Sequence, residues 1–262
     1  MSQSVCQSNL HAAILYNFTY LFMTVQSKEN ISAITEQNIS FYNEIAGQYN
    51  AILKAEDTNS IVRSKVAGKF HDIIKSGLVL DFGGGTGLDL DWLLGFQYEV
   101  FFCEPSAGMR QMAIQRNADL LHSSHINFLA QEKTDFAKWH QDLPFSQQVD
   151  AILSNFAVIN NIADIQTLFS ALARVLKPGA HMMALMLDSP WQTLFRRHPM
   201  AFLKYLFNRR TISLKVQFKG NEQTVYLHTM NKIREASSTH FDFYSSESIK
   251  GSGFILIDLA RK

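Results

Sequence analysis

The chain has 262 residues, 47% of them hydrophobic and 18% charged, so it can bury one substantial core, and a repeat array or a disordered chain is excluded. Its net charge of +1 offers no field that would attract nucleic acid, and we expect a small-molecule substrate instead. The two cysteines, Cys6 and Cys103, are too far apart to suggest a disulfide framework or a zinc site, which fits a reducing, cytoplasmic location.

Residues 1–35 are predicted to form an N-terminal extension, either a docking helix or a poorly ordered segment, ahead of a single domain at residues 36–262. The apolar stretch at residues 10–25 is too short for a membrane-spanning helix and is interrupted by His11 and Asn17, so we expect no stable membrane insertion. No lysine or arginine precedes this stretch, which distinguishes it from a secretory signal peptide.

The rest of the chain predicts two helices followed by alternating strands and helices. Apolar residues recur at helical spacing over residues 39–53 and 60–74. Short apolar runs indicate buried parallel strands at residues 78–82, 100–103, 126–129, 151–153 and 181–187. Helices are predicted between them at residues 88–94, 107–117 and 162–176, the last stopped by Pro178-Gly179. Strand candidates at residues 241–244 and 254–259 suggest an antiparallel terminal strand. The pattern predicts an α/β fold, a doubly wound, Rossmann-like sheet of seven mostly parallel strands.

An insertion at about residues 189–228 is predicted to form a small substrate cap. Its first part, residues 191–210, has helical character, and alternating apolar residues at 212–218 and 225–228 around Gly220 predict a hairpin. Four arginines flank the helical part and suggest either an anion-binding surface or a solvated basic face. They are Arg196, Arg197, Arg209 and Arg210.

A glycine-rich loop follows the first predicted strand. It contains Gly83, Gly84, Gly85 and Gly87. In an open α/β sheet this turn lies where ligands bind, and missing Cβ atoms let the backbone approach a ligand closely. A dinucleotide-binding loop needs glycine where Leu88 stands, and no G-K-[ST] follows, so neither a pyrophosphate nor a nucleoside triphosphate is indicated.

Two acidic residues accompany the loop. Asp81 directly precedes the glycines and suits an α-amino group, whereas Glu104 ends the second strand, where a carboxylate can accept both hydroxyls of a ribose. Together with the glycines they favour S-adenosylmethionine (SAM) over NAD. The alternative is a tight turn with incidental surface acids.

The segment VLDFGGGTG at residues 79–87 resembles the glycine loop of class I SAM-dependent methyltransferases, specifically the type 11 (UbiE-like) group. FYNEIAGQYN at residues 41–50 resembles the helix that covers the cofactor, and CEPSAGM at residues 103–109 resembles the turn that carries the ribose-binding acid. Residues 149–165 resemble the fourth strand and its loop. LARVLKPGA at residues 172–180 resembles the turn before the fifth strand, although alanine replaces a common glycine at its end.

The resemblance implies an enzyme that uses SAM as its cofactor and needs no metal. The cofactor-binding residues that it implies are Asp81, Gly83, Gly84, Gly85, Gly87, Glu104, Pro105, Met109, Asn155 and Tyr49. An acidic residue after the third strand is expected to contact the adenine amino group. Gln131, Glu132 and Asp135 remain alternatives for that position.

Methyl transfer from a sulfonium is an in-line displacement that needs alignment and water exclusion more than a fixed catalytic residue. For an acceptor that must lose a proton, His228 is the first candidate base, with Asn155 and Asn160 as polar positioners. Alternatively, His228 caps the following helix or bonds a loop carbonyl. Tyr42 and Tyr49 share one face of the covering helix and predict either cofactor contact or core packing.

The leading hypothesis is therefore a SAM-dependent methyltransferase that acts on a small, aromatic or lipophilic acceptor. A SAM-binding scaffold or regulatory subunit without turnover is the alternative. An NAD-dependent oxidoreductase is disfavoured by Leu88 and by the lack of a Tyr-x-x-x-Lys pair.

Overall fold

Helices and strands alternate along the computed structural model, which describes residues 31–54, 57–120, 125–188, 211–218 and 220–262. The helices are α1 (Ile31–Lys54), α2 (Asp57–Ile73), α3 (Leu90–Gly95), α4 (Ala107–Arg116), α5 (Ile165–Val175) and α6 (Met230–Ser237). The strands are β1 (Leu78–Phe82), β2 (Glu99–Cys103), β3 (Ile126–Phe128), β4 (Val149–Ser154), β5 (Leu176–Leu187), β6 (Ile212–Phe218), β7 (Asn221–Leu227), β8 (Phe241–Ile249) and β9 (Phe254–Arg261).

Seven strands form one sheet in the order β3-β2-β1-β4-β5-β9-β8. Strands β1 to β5 pair in parallel, whereas β9 runs antiparallel to both β5 and β8. The predicted seven-stranded, mostly parallel sheet is confirmed. Its antiparallel strand is the last in the chain but lies one strand inside the edge, because β8 pairs outside it. The order reverses between β1 and β4, so the carboxyl ends of β1, β2 and β4 meet where ligands bind in such sheets.

Each face of the sheet carries a hydrophobic core. One face packs against α2 through Val62, Val66 and Phe70. The other face packs against α5 through residues that include Leu168 and Leu172. Because the central strands are covered on both faces, they read in the sequence as continuous apolar runs instead of alternating ones.

The start of β5 differs from the prediction. The sequence predicts a helix up to residue 176 and a strand from residue 181, but α5 ends at Val175 and β5 begins at Leu176, which pairs with Val149. The pairing register then shifts between Val149 and Ala151. Gly179, with φ of 77°, takes a left-handed conformation that lets the chain pass through this irregularity within one strand.

The hairpin predicted within the cap is confirmed. Strands β6 and β7 form a separate antiparallel sheet around a turn at Gly220, where φ is 84°. The predicted helical part of the cap at residues 191–210, with its four arginines, lies outside the described residues. So do most of the predicted N-terminal extension and Cys6, whereas α1 begins at Ile31, inside that extension. Among the helices that the structure describes, none is both long and apolar enough to cross a membrane.

Helix α1 is held between the hairpin and α4. Asn38 accepts the Thr224 N–H at 2.8 Å and donates to the Thr224 carbonyl at 2.9 Å, which joins α1 to β7. Farther along α1, Gly108 of α4 permits a close helix contact, since a Cβ atom there would lie 2.9 Å from the carbonyl oxygen of Asn43. Helix α1 is therefore fixed beside the carboxyl end of β2, which α4 follows.

Candidate functional site

The glycine loop is tied to the second strand at its start and open at its middle. The backbone N–H groups of Gly83 and Gly84 donate to the Cys103 carbonyl at 2.8 and 3.2 Å. A Cβ atom at Gly84 would lie 2.2 Å from the Phe102 ring, so this position admits no side chain. At Gly85, with φ of 59°, a Cβ atom would meet nothing within 4 Å. The loop backbone therefore faces open space at Gly85, where a ligand can approach it.

Asp81, at the end of β1, is a buried carboxylate that lacks a full set of partners. The residue is only 1% exposed, and its Oδ2 has no hydrogen-bond partner among the described residues. Burial raises the pKa of Asp81 well above its usual value, and the nearby Asp89 and Glu104 carboxylates add to that rise. A buried acceptor of this kind has a strong preference for a cationic donor such as an ammonium group.

Glu104 is held by backbone amides on both sides of the site. Its Oε2 accepts the Gly85 N–H at 2.9 Å and its Oε1 accepts the Ser106 N–H at 2.7 Å. Burial raises the pKa of Glu104 to about 7, although the two N–H donors act in the opposite direction. Two backbone donors thus fix the carboxylate at the carboxyl end of β2, as the sequence pattern predicts.

A polar network around Asp89 was not predicted from the sequence. Asp89 is buried and pairs with the Arg63 guanidinium of α2. It also accepts hydrogen bonds from Trp92 Nε1 at 2.7 Å and Asn155 Nδ2 at 3.0 Å. The guanidinium carbon of Arg63 lies 4.3 Å from the centre of the Phe156 ring. An arginine inside the described site thus adds a positive group to an otherwise acidic cluster. In the sequence, the only sign of this network is Asp89 itself, an acidic residue two positions after Gly87.

The loop after β4 has an unusual backbone. Phe156 and Ala157 adopt left-handed conformations with φ of 51° and 65°. Such conformations cost non-glycine residues about 1–2 kcal/mol each and cluster at functional sites. Asn155 accepts the Phe156 N–H at 3.0 Å, and the Ala157 N–H donates to the Leu185 carbonyl at 2.8 Å. The predicted cofactor residue Asn155 is therefore fixed at this loop by contacts to both Asp89 and its own backbone.

The two tyrosines of α1 lie together, as their spacing predicts. The ring centres of Tyr42 and Tyr49 are 6.2 Å apart, and Asn161 donates to the Tyr42 hydroxyl at 3.2 Å. Desolvation raises the pKa of Tyr42 to about 12. Desolvation also raises the pKa of Tyr49, which lies close enough to Arg63 and Glu104 to be affected by their charges. Tyr49 is therefore in the neighbourhood of the charged residues of the site.

Side-chain amides join α1 to the loops beneath it. Asn43 Oδ1 accepts hydrogen bonds from the Ser106 hydroxyl at 2.8 Å and the Gly108 N–H at 2.9 Å. Asn50 Oδ1 accepts a short hydrogen bond from the Thr86 hydroxyl within the glycine loop. The helix that the sequence predicts as a cover is thus bonded directly to the two loops that carry the candidate cofactor residues.

The turn after β2 places the remaining predicted residues. Met109 is buried in a cluster with Phe41 and Ile45 of α1, and the Pro105 carbonyl accepts a hydrogen bond from Gln131 Nε2 at 2.5 Å. The three alternatives for the adenine contact, Gln131, Glu132 and Asp135, are all exposed. Gln131 is bonded to the turn after β2, whereas Asp135 accepts the Ala137 N–H at 3.1 Å and pairs with Lys138. The adenine contact itself stays a prediction.

His228 is buried and both of its ring nitrogens have partners. Nε2 lies 3.0 Å from the Ile162 carbonyl, so it carries the proton, and Nδ1 lies 3.0 Å from the Thr211 hydroxyl, from which it accepts. Burial lowers the pKa of His228 to about 4. The base role stays a prediction, but this geometry favours the alternative, an anchor between the hairpin and the loop after β4. Asn160 has a similar place, since it donates to the Tyr226 carbonyl and accepts the Leu187 N–H.

We expect His228→Gln to lower the free energy of unfolding at pH 7 by about 1–3 kcal/mol, because one buried hydrogen bond is lost or distorted. The pKa of His228 falls from 6.5 unfolded to about 4 folded, so its contribution to stability is complete above pH 6.5 and disappears as the pH falls towards 4. Unfolding curves across this pH range measure both effects. The variant should be less sensitive to acid than the parent, and His125→Gln, at an exposed position, should match the parent.

Normal stability of His228→Gln combined with normal SAM binding and lost methyl transfer would contradict the anchor role. That combination would support the base instead.

The sequence of the chain matches that of a known protein family. A family model described as a methyltransferase domain matches residues 56–251. No curated protein matches the chain by sequence.

Solved structures share the fold at low sequence identity. The Burkholderia thailandensis 1,6-didemethyltoxoflavin-N1-methyltransferase, solved with 1,6-didemethyltoxoflavin and S-adenosylhomocysteine, is 12% identical with a TM-score of 0.65, over 92% of this chain and 94% of that one. The DhpI–SAH complex is 15% identical with a TM-score of 0.62, over 87% and 97%. A SAM-dependent methyltransferase from Clostridium acetobutylicum is 13% identical with a TM-score of 0.57, over 84% and 98%.

Proposed function

The chain belongs to the methyltransferase-domain family, and on that premise we propose that it transfers a methyl group from SAM to a small-molecule acceptor. The observation that carries the proposal is the unpaired, buried carboxylate oxygen of Asp81, which lies against Gly84, the neighbour of the open backbone position Gly85. An ammonium group would satisfy that oxygen, and a ligand chain could pass over Gly85 where no side chain stands. SAM has both features, since it carries an α-amino group and is an elongated molecule that could lie along this loop.

Each part of the cofactor has a candidate partner. We assign the α-amino group to Asp81, the α-carboxylate to Arg63 and the two ribose hydroxyls to Glu104. Pro105 and Met109 would pack against the adenine, with Gln131 in reach of its edge. The methionine end of the cofactor would also contact Tyr49 and Asn155. The rest of the glycine loop around it is formed by Gly83, Gly84 and Gly87. The acidic majority of these groups suits a cofactor that carries a positive sulfonium.

SAM supplies an electrophilic methyl group on sulfur, and the displacement leaves a neutral thioether. The residues of this chain therefore need to bind, align and exclude water. The hydrogen bonds from α1 to the glycine loop and to the turn after β2 hold the cover over the site. The strained loop at Phe156 and Ala157 fixes Asn155 and the face from which an acceptor would approach.

The acceptor is proposed to be small and largely apolar, and the cap at about residues 189–228 is proposed to shape its pocket. Within the described part of the cap, the hairpin buries Ile212, Leu214, Val225 and Leu227. A cytoplasmic location and a small-molecule acceptor in place of nucleic acid remain part of this proposal, on the composition of the chain.

The proposal is tested by incubating the protein with methyl-labelled SAM and an extract of cells that express it, separated into small-molecule, protein and nucleic-acid fractions. We expect S-adenosylhomocysteine to form and the label to enter the small-molecule fraction, and we expect neither with Gly85→Asp. Label in protein or nucleic acid would contradict the acceptor class. Saturable SAM binding without turnover on any fraction would favour the non-catalytic scaffold.

The affinity for SAM should depend on pH through Glu104. Its pKa in the free protein is about 7, and the ribose hydroxyls bind best to the ionised carboxylate. Below pH 7 a proton must leave before binding, so Kd should rise by up to about tenfold for each pH unit, whereas above pH 7 it should level off. The effect is measured by determining Kd for SAM at a series of pH values from about 5.5 to 8.5, which lie on both sides of this pKa.

Glu104→Gln is the control for this pH dependence, because it cannot ionise. It should bind more weakly at pH 8 and with a flatter pH profile; a profile identical to that of the parent would rule out Glu104 as the titrating group. The pKa of Asp81 is also raised, so any pH dependence of SAM binding that remains in Glu104→Gln is assigned to Asp81.

A further inference from the structure

The hairpin has an inner face that is buried and almost entirely apolar. Its cross-strand pairs are Ile212 with Leu227, Leu214 with Val225 and Val216 with Gln223. All six residues are buried. Gln223 is the single polar member, only 2% exposed, and its side-chain oxygen has no hydrogen-bond partner within the described residues. An apolar residue of similar size would complete this face without an unpaired amide oxygen, so the glutamine calls for an explanation other than packing.

The inner face shares hydrophobic clusters with two elements of the proposed site. Its apolar residues belong to the same contiguous cluster as Phe156 and Ala157, the strained residues after β4. Phe218, the last residue of β6 and on the same face by register, packs on the α1 cluster that includes Tyr42 and Tyr49. The hairpin therefore packs on α1 through Phe218 and shares a core cluster with the loop after β4, the two elements that we propose to enclose the methionine end of the cofactor.

The hairpin is also fixed in this place by hydrogen bonds along the edge of β7 that does not pair with β6. Asn38 of α1 bonds both backbone groups of Thr224, and Asn160 of the loop after β4 donates to the Tyr226 carbonyl at 2.7 Å. Because Thr224 and Tyr226 flank Val225 along β7, these bonds determine which way the side chains of the inner face point. Gln223 is thus held in a defined orientation and is not a surface residue that happens to fold inwards.

We propose that Gln223 is a specificity-determining residue of the acceptor pocket, whose side-chain carbonyl accepts a hydrogen bond from a neutral O–H or N–H group on an otherwise apolar acceptor. The inference rests on the proposed methyltransferase function. A carboxylate or phosphate would meet the unpaired amide oxygen and apolar walls, which disfavour an anion. A neutral phenol, alcohol or ring N–H satisfies the oxygen while its hydrocarbon contacts Val216 and its neighbours.

The test compares two probes that differ only in the donor, 2-naphthol and 2-methoxynaphthalene, by calorimetric titration into protein saturated with S-adenosylhomocysteine. We expect the parent to bind 2-naphthol about two- to tenfold more tightly than its methyl ether, the usual value of one hydrogen bond. Gln223→Met should lose this preference. Gln217→Met, at an exposed position on the opposite face of the same hairpin, should keep it.

A second readout does not depend on the probe. Because Gln223→Met removes an unpaired buried oxygen, we expect its unfolding temperature to equal or exceed that of the parent, and Gln223→Leu serves as a second apolar variant. Equal binding of both probes to the parent, no binding of either, or a preference that survives in Gln223→Met would overturn the role of Gln223. Failure of S-adenosylhomocysteine to bind the parent would instead overturn the proposed cofactor site.

Discussion

Replacing Gly85 with aspartate is expected to abolish measurable SAM binding, a loss of at least about a thousandfold, while the protein remains folded. A Cβ atom at Gly85 meets nothing within 4 Å, so the new side chain disturbs no packing. It would instead project into the open space where we propose that the cofactor lies, and blocking the close approach of the cofactor to the loop backbone would remove most of the binding free energy. Calorimetric titration with SAM measures the loss, and circular dichroism verifies the fold.

Gly179→Asp is the matched control for this variant. Gly179 also has a left-handed backbone, with φ of 77° against 59° at Gly85, and a Cβ atom there also meets nothing within 4 Å. Both variants therefore carry a similar conformational cost of about 1–2 kcal/mol. Gly179 lies at the start of β5, away from the glycine loop, so Gly179→Asp should bind SAM normally. Equal affinity in the two variants would mean that the cofactor does not pass over Gly85.

Asp81→Asn is expected to weaken SAM binding by roughly 10- to 150-fold, because a charge-assisted hydrogen bond contributes about 1.5–3 kcal/mol. The same change should leave the unfolding temperature of the free protein unchanged or higher. Asp81 is buried beside two other carboxylates, and its raised pKa means that its ionised form is disfavoured in the free protein. The affinity for SAM should therefore fall while the unfolding temperature stays the same or rises. Titration with SAM measures the first quantity and thermal unfolding the second.

Asp150→Asn provides the contrast. Asp150 lies near the start of β4, where its carboxylate accepts the Leu78 N–H at 2.9 Å and pairs with Lys177. These partners lower the pKa of Asp150, although partial burial acts against them. The variant should therefore lose stability and keep its affinity for SAM. If Asp81→Asn behaved in this way, Asp81 would be a structural residue and the assignment of the amino group to it would be wrong.

The fold was predictable because its strongest determinants are local. Buried parallel strands must be apolar on both faces, and the glycine loop must follow the first of them, so residues 78–87 alone indicate both a strand and a ligand-binding turn. The family and the sheet that these patterns predict are confirmed by the match at residues 56–251 and by the strand order. The start of β5 was not predicted, because Pro178-Gly179 reads as a break but is accommodated here within a strand.

The parts of the site that could not be predicted depend on contacts between distant elements. Arg63 reads as one basic residue of a polar helix, and only the packing of α2 brings it to Asp89. The sequence leaves His228 as either a base or a residue bonded to a loop carbonyl, and only the packing of the hairpin beside the loop after β4 shows that Ile162 and Thr211 are its partners. Sequence periodicity reports which face of an element is apolar, but not which element it meets. The roles of individual site residues therefore remain proposals.

The central claim, that this chain binds SAM at the carboxyl ends of β1 and β2, is tested most directly by calorimetric titration of the parent protein with SAM and, separately, with NAD. We predict one saturable SAM site per chain and no response to NAD, since Leu88 interrupts the dinucleotide-binding pattern. Saturable NAD binding, or a folded protein that binds no SAM, would contradict the account.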